Sequence, residues 1–190
     1  MAFNKTLILF VSISCLLLHT HAAGMRSPQA RVWTICKPTS VPLLCYKTIL
    51  PKVQSLLRFN MYKALEAEVL LTQQQAQKAL SLINTLLAKP GNPKGLTDSL
   101  QICQDQYGNI LDAVAETIKL VEKRDVSESR FKFSAVISYY SSCNDDFNNI
   151  PAEFVAESKT VFDLGSNCLD IMKAIDDREM ARRARTSPQA

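Results

Sequence analysis

Residues 61–93 read MYKALEAEVLLTQQQAQKALSLINTLLAKPGNP and combine a long helical pattern with an abrupt stop. Apolar or small side chains recur at steps of three and four between Met61 and Lys89, at Leu65, Val69, Thr72, Ala76, Leu80, Ile83 and Leu87. This spacing places them on one side of a helix and predicts a long amphipathic helix. The breaker cluster Pro90-Gly91-Asn92-Pro93 predicts that the helix ends there and that a short connection leads to a second one.

Three further helical patterns follow, over about 97–124, 128–147 and 151–175. Short polar side chains that can cap a helix lie near the start of the first two, namely Thr97 or Asp98 and Asp125 or Ser127. In the last pattern we expect an irregularity near Ser158. A short loop makes each helix run antiparallel beside its predecessor, so the patterns predict an all-α, up-and-down four-helix bundle.

The segment before the bundle, residues 30–51, contains three prolines, Pro38, Pro42 and Pro51. Proline lacks a backbone N–H and breaks a helix when it falls in the interior. We therefore expect a compact extension built of short helices rather than a fifth long helix.

The first 23 residues resemble a secretory signal peptide. Lys5 provides the positively charged start, residues 7–18 form an apolar run, and the small residues Ala22 and Ala23 suit cleavage. An apolar run of about a dozen residues is shorter than the roughly 20 that cross a bilayer as a helix. We therefore expect a soluble, secreted mature protein in a compartment where disulfides form, with an uncleaved signal anchor as the alternative.

Removal of the signal peptide also removes both histidines, His19 and His21. Ser-His-Asp and Cys-His nucleophile systems and zinc sites with histidine ligands all need an imidazole, so these classes are excluded. The glycines of the mature chain are too scattered to form a phosphate-binding loop. We expect a protein that is not an enzyme and that uses no metal or cofactor.

The charge of the chain is mild, since +4 falls to +3 when Lys5 is lost. Basic residues cluster only near the end, at Arg178, Arg182, Arg183 and Arg185. We expect residues 179–190 to form a frayed, solvated tail, with a docking patch for an acidic surface or nucleic acid as the alternative. The chain has no glycine-interleaved aromatic motif, so we expect neither a nucleic-acid partner nor a membrane partner.

Five cysteines remain in the mature chain, at Cys36, Cys45, Cys103, Cys143 and Cys168. If the second and third helices fold back near Asp125, Cys103 and Cys143 both lie roughly 30 Å from the turn and can bond. Cys36 and Cys45 close a small loop that contains prolines. The sequence does not fix the pairing of five cysteines, so a bridge or a dimer through Cys168 stays open as an alternative.

Four stretches carry a resemblance to the plant invertase and pectin methylesterase inhibitor family. Residues 35–45 read ICKPTSVPLLC and are similar to the opening motif of that family, and residues 100–107 read LQICQDQY, similar to its Leu-x-x-Cys-x-x-x-Tyr. Residues 134–138, SAVIS, with 143–147, CNDDF, resemble its Ser-Ala run followed by Cys-x-Asp-x-Phe. Residues 164–169, LGSNCL, resemble its Leu-x-Ser-Asn-x-Leu.

The resemblance implies a four-helix bundle with an N-terminal helical hairpin, secreted to the plant cell wall or apoplast or, less often, sent to the vacuole. It implies disulfides from Cys36 to Cys45 and from Cys103 to Cys143, with Cys168 as a free thiol. The expected organisation is a signal peptide at 1–23, an inhibitor domain at 24–178 with its hairpin at about 30–55 and its bundle at about 58–178, and a basic tail at 179–190.

Members of this family block a carbohydrate-active enzyme, either pectin methylesterase or acid invertase. Invertase inhibitors often carry a Pro-Lys-Phe motif, of which residues 130–133, RFKF, keep Lys-Phe without the proline. We therefore favour a protein that forms a 1:1 complex with pectin methylesterase and inhibits it by covering its pectin cleft. The first alternative is an invertase inhibitor that plugs the sucrose pocket near Lys132 and Phe133, and the second is a non-inhibitory helical binding protein. Candidate interface residues are Lys132, Phe133, Gln73 and Gln77.

Overall fold

The computed structural model describes residues 27–53, 59–145 and 151–186, and the expected signal peptide at 1–23 lies outside the described residues. The described ranges form six α-helices and contain no strand. The helices are α1 (Pro28–Cys36), α2 (Pro42–Val53), α3 (Met61–Leu87), α4 (Lys94–Glu122), α5 (Val126–Asp145) and α6 (Ala152–Thr186). The prediction of an all-α bundle with an N-terminal helical hairpin and two disulfides is confirmed.

The four long helices α3 to α6 form the bundle. Helix α4 packs against α3 and α5, and α6 packs against α3 and α5, whereas α3 and α5 lie diagonally across the core and their backbones do not approach each other closely. Large side chains with no exposed surface fill the centre, among them Leu65, Ile83, Leu100, Tyr107, Ile110, Phe133, Phe154, Ile171 and Met172. The short hairpin of α1 and α2 packs against α3 and α6.

Helix α4 begins one turn earlier than the sequence predicts. It starts at Lys94 rather than after Thr97 or Asp98, because Pro93 at the N-cap position has φ −58°, ψ 145° and no side-chain cap is used. Proline has no N–H to satisfy and its fixed φ suits the start of a helix. The Thr97 hydroxyl lies inside the helix and donates to the Pro93 carbonyl over 3.4 Å.

Helix α5 has the predicted kind of cap, whereas α6 differs from expectation at two points. Asp125 Oδ1 accepts a hydrogen bond from the backbone N–H of Glu128 over 3.2 Å and so caps α5. Helix α6 passes through Ser158 without a break, and the buried Ser158 packs into the core. It then continues to Thr186, so residues 179–186 are helical rather than frayed.

Two disulfides tie the helices together. Cys36 and Cys45 join α1 to α2, with their Cα atoms 5.5 Å apart, and Cys103 and Cys143 join α4 to α5, with their Cα atoms 4.6 Å apart. The loop-entropy relation assigns about 3 kcal/mol to the short loop and about 4 kcal/mol to the long one. Cys168 is a buried free thiol on α6.

Two side chains of α6 hold the loop between α1 and α2. The backbone N–H and the hydroxyl of Ser40 donate to Asp170 Oδ2 over 2.6 and 2.7 Å. Asn167 Oδ1 accepts from the N–H of Val41 over 2.9 Å, and Asn167 Nδ2 donates to the Val41 carbonyl over 3.3 Å. Asn167 has no exposed surface, so this amide fixes the start of α2 from inside the protein.

Glu68 of α3 lies beside Asn167, where the hairpin meets the bundle, and its side chain is completely buried. Its Oε2 accepts from the Thr48 hydroxyl over 2.8 Å and its Oε1 accepts from Asn167 Nδ2 over 3.2 Å. Both of these neighbours are neutral, and burial raises the pKa of Glu68 from its ordinary 4.5 to about 7, although the two hydrogen bonds act in the opposite direction. Hairpin and bundle therefore meet around a carboxyl group that holds its proton in mild acid.

We expect the free energy of unfolding to fall as the pH rises from 4.5 to about 7. In this window the folded protein keeps the proton of Glu68 and the unfolded chain releases it, so stability decreases by up to about 1.4 kcal/mol per pH unit. Below the window both states hold the proton, and above it both have lost it, so the contribution levels off. Urea denaturation at a series of pH values measures the effect.

The variant Glu68→Gln should lose this slope, because a glutamine amide can occupy the same place without titrating. Glu157→Gln is the control with the same chemical substitution at a surface carboxylate. Hydrogen bonds from Lys78 and Gln75 lower the pKa of Glu157, so it titrates below the window. An unchanged slope in Glu68→Gln would show that another group is responsible.

Gly165 allows α5 and α6 to approach closely. A Cβ at this position would lie 3.2 Å from Ile137 Cδ1 and 3.7 Å from Val136 Cγ1. Gly108 in α4 is different, because a Cβ there would meet no heavy atom within 4 Å. Substitution of Gly165 therefore tests the close packing of two helices, whereas substitution of Gly108 tests only the general cost of glycine in a helix.

We expect Gly165→Leu to lower the free energy of unfolding by about 1–3 kcal/mol, since the added carbons must enter a packed core. Gly108→Ala should raise it by roughly 0.5–1 kcal/mol through helix propensity alone. Thermal and urea denaturation measure both. Wild-type stability in Gly165→Leu would contradict the close approach of the two helices.

Candidate functional site

The predicted Lys-Phe pair lies within α5, and only one of its two side chains reaches the surface. Lys132 is partly exposed, and its Nζ lies 3.4 Å from Glu116 Oε2 on α4. Phe133 has no exposed surface, because it falls on the side of α5 that faces the core. The Phe133 ring is therefore a core group in this fold, and its role at an interface stays a prediction.

The exposed aromatic side chain of this segment is Phe131. Its relative exposure is 71%, the highest among the exposed large hydrophobic residues of the described chain. Two positions along a helix correspond to about 200° of rotation, so Phe131 and Phe133 cannot share one face. The period of the buried positions Ser129, Phe133 and Val136 shows which ring lies inside.

Phe131 stands between two surface grooves. The groove between α4 and α5 has a volume of about 560 Å³ and is lined by Asn109, Glu116 and Tyr139 among others. The groove between α5 and α6 has a volume of about 430 Å³. Phe131 and Ser134 line both grooves. We name the exposed side of α5 around Phe131, with these two grooves, the α5 ridge.

The two predicted glutamines lie on α3, away from the α5 ridge. Gln73 is partly buried and Gln77 is exposed. Leu70, one turn before Gln73, is 46% exposed and lies between grooves of about 360 and 300 Å³. Because α3 and α5 are diagonal in the bundle, the structure does not bring the four predicted residues together.

Several charged side chains on the described surface form ion pairs along one helix. Asp177 accepts from Lys173 over 2.5 Å and Asp163 pairs with Lys159, both one helical turn apart. In residues 27–53, 59–145 and 151–186 no group of three or more potential metal ligands occurs. None of the described helices has the length and hydropathy to cross a membrane.

Two solved structures are similar to this fold. A mutant form of a pectin methylesterase inhibitor from Arabidopsis aligns with a TM-score of 0.64 and 22% identity, covering 74% of this chain and 93% of that chain. A pectin methylesterase inhibitor from Arabidopsis thaliana aligns with a TM-score of 0.58 and 21% identity, covering 75% and 93%. At these identities the likeness establishes the fold.

The sequence itself gives the assignment. A search of curated proteins finds no match to this chain. The family model described as plant invertase/pectin methylesterase inhibitor matches residues 30–171, which include both disulfides and most of the bundle. The chain therefore belongs to the plant invertase/pectin methylesterase inhibitor family, whose members are inhibitors and not enzymes.

Proposed function

We propose that this protein inhibits pectin methylesterase by covering the pectin-binding cleft with its bundle, in a 1:1 complex. The observation that carries the choice of target is the state of the Lys-Phe pair. In the invertase alternative the neighbourhood of Lys132 and Phe133 plugs the sucrose pocket, whereas here Phe133 is buried and Lys132 lies 3.4 Å from Glu116. The absent proline supports the same target.

We place the α5 ridge at the centre of the proposed interface. An exposed aromatic side chain flanked by grooves is the kind of anchor that contributes most to protein–protein affinity. Phe131 lies on a helix that a disulfide and a packed core hold in place, so little conformational entropy is lost on binding. A standard interface buries about 800 Å² on each partner, which requires the neighbouring helices α4 and α6 as well.

The mechanism of inhibition is steric. A polymer chain must lie along an extended cleft to be processed, and a rigid bundle across that cleft excludes it without chemistry. The ion pair of Lys132 with Glu116 places polar groups in the same groove as Phe131. A polar rim around an apolar anchor is typical of interfaces between proteins that also exist alone.

The site of action follows from the proposed signal peptide. We propose that residues 1–23 are removed on secretion, that the inhibitor domain spans 24–178, and that the mature protein acts in the cell wall. Family membership and the two disulfides support an extracellular compartment.

The test of function is a titration of the purified mature protein into matched assays of pectin methylesterase and acid invertase at mildly acidic pH. We expect the esterase to slow to a stoichiometric end point at one inhibitor per enzyme and the invertase to be unaffected. Inhibition of invertase alone would overturn the choice of target. No inhibition of either enzyme would overturn the proposed function.

The variant Phe131→Ala should raise the inhibition constant for pectin methylesterase by about tenfold or more, as expected for a central aromatic anchor. Leu70→Ala is the matched control, because it also truncates an exposed apolar side chain but lies on the diagonal helix. Surface truncations of this kind change stability by only about 0.5 kcal/mol, so both variants should fold. A larger effect of Leu70→Ala would move the interface to α3.

A further inference from the structure

The last turns of α6 lie at the surface and carry a concentration of positive charge. The family match ends at residue 171, whereas α6 continues to Thr186. No residue of α6 after Ile175 is buried. Residues 178–186 contain four arginines and a single carboxylate, Glu179. This segment therefore contributes surface rather than core.

Three of the four arginines share one side of the helix. Arg178, Arg182 and Arg185 are spaced i, i+4 and i+7, which aligns them over roughly 10 Å of helix length. Arg183 points elsewhere, and its Nη2 lies 3.8 Å from Glu179 Oε2. We name Arg178, Arg182 and Arg185, all of which are exposed, the arginine stripe.

A fourth guanidinium group from another part of the fold lies near the stripe. Arg124 closes the α4–α5 turn with φ 60°, and its guanidinium carbon is 5.1 Å from the centre of the Tyr62 ring. Arg182 acts electrostatically on the same tyrosine, whose hydroxyl donates to Glu179. Burial and Glu179 raise the pKa of Tyr62 to about 12 although both arginines lower it.

The one carboxylate of this segment is therefore already engaged by a tyrosine hydroxyl and by Arg183. Repulsion among guanidinium groups that share a helix face opposes their clustering. A stabilising effect on the helix C-terminus explains positive charge in the last turn, but it does not require arginine in place of lysine.

The basic residues of this segment are arginines, whereas those of the preceding bundle are mostly lysines. Residues 61–175 contain nine lysines and two arginines, whereas residues 178–185 contain four arginines and no lysine. Several of those lysines form surface ion pairs, including Lys63, Lys78, Lys89, Lys159 and Lys173. A guanidinium group binds a planar carboxylate through two parallel hydrogen bonds, which an ammonium group cannot do.

We propose that the arginine stripe, together with Arg124, binds the carboxylates of de-esterified pectin. The choice of this polymer rests on the proposed function, since hydrolysis of pectin methyl esters leaves a chain of sugar carboxylates. The stripe matches a linear polycarboxylate in charge and in its extended form. A lipid surface fits less well, because residues 178–186 expose only one large apolar side chain, Met180, and lack the apolar face that membrane-bound helices insert. The inhibitor is thereby retained where its target enzyme has already acted.

The test measures binding to polygalacturonate and to highly methyl-esterified pectin of the same length, without any enzyme. We expect the wild type to bind polygalacturonate more tightly and to lose affinity as salt is raised. The variant Arg178→Gln/Arg182→Gln/Arg185→Gln should bind roughly fivefold more weakly for each arginine removed, the order typical of basic side chains at an anionic surface. Lys78→Gln/Lys89→Gln/Lys159→Gln removes the same charge elsewhere and should retain wild-type affinity.

A variant with lysines in the stripe, Arg178→Lys/Arg182→Lys/Arg185→Lys, keeps the positive charge but loses the paired hydrogen bonds of the guanidinium groups. It should still bind polygalacturonate severalfold more weakly than the wild type. Equal loss in the three-lysine control, or equal binding of both polymers by the wild type, would overturn the proposal. Equally tight binding to phosphatidylserine vesicles or to duplex RNA would overturn the choice of ligand. Inhibition without polygalacturonate binding refutes this inference alone, and binding without inhibition of pectin methylesterase refutes the proposed function alone.

Discussion

One buried amide connects the two parts of this protein. Asn167 satisfies both the N–H and the carbonyl of Val41 at the start of the hairpin's second helix, and it also donates to Glu68 of the bundle. An unpaired backbone group in such a place would cost about as much as a lost hydrogen bond, so the hairpin has one favourable position on the bundle. The disulfide from Cys36 to Cys45 keeps the two short helices together, but the position of the pair depends on Asn167.

With the hairpin on α3 and α6, the remaining surface of the bundle is divided. The side of α5 carries an exposed aromatic ring between two grooves, whereas α3 lies diagonally opposite and is partly covered by the hairpin. The two ends also differ, because one end carries the arginine-rich extension of α6. The α5 ridge and the arginine stripe are thus two surfaces of one rigid scaffold, the first proposed for an enzyme and the second for a polymer.

Much of the fold could be predicted from the sequence because helical periodicity and breakers are local signals. The long helix after Met61 and its end near Pro90 come directly from that pattern. The start of α4 differs from the prediction because a proline takes the place of the expected side-chain cap. The length of α6 differs because a charged composition indicates exposure but does not distinguish an exposed helix from a frayed tail. The candidate site is harder to predict from the sequence. Which of the Phe131 and Phe133 rings lies in the core depends on how α5 is rotated against α4 and α6. The diagonal placement of α3 and α5 is likewise a property of the tertiary packing.

The free thiol of Cys168 determines whether the two disulfides can rearrange by exchange within the folded protein. Exchange between a thiol and a disulfide needs a thiolate that can reach the sulfur atoms. Cys168 is fully buried beside Thr72, and burial raises its pKa well above the ordinary value, so the folded protein offers no thiolate there. The native pairing is therefore preserved kinetically once α6 is in place. Before that point the same sulfur is an exposed competitor for four partners, so rearrangement of the bridges belongs to the stage of folding before the bundle closes.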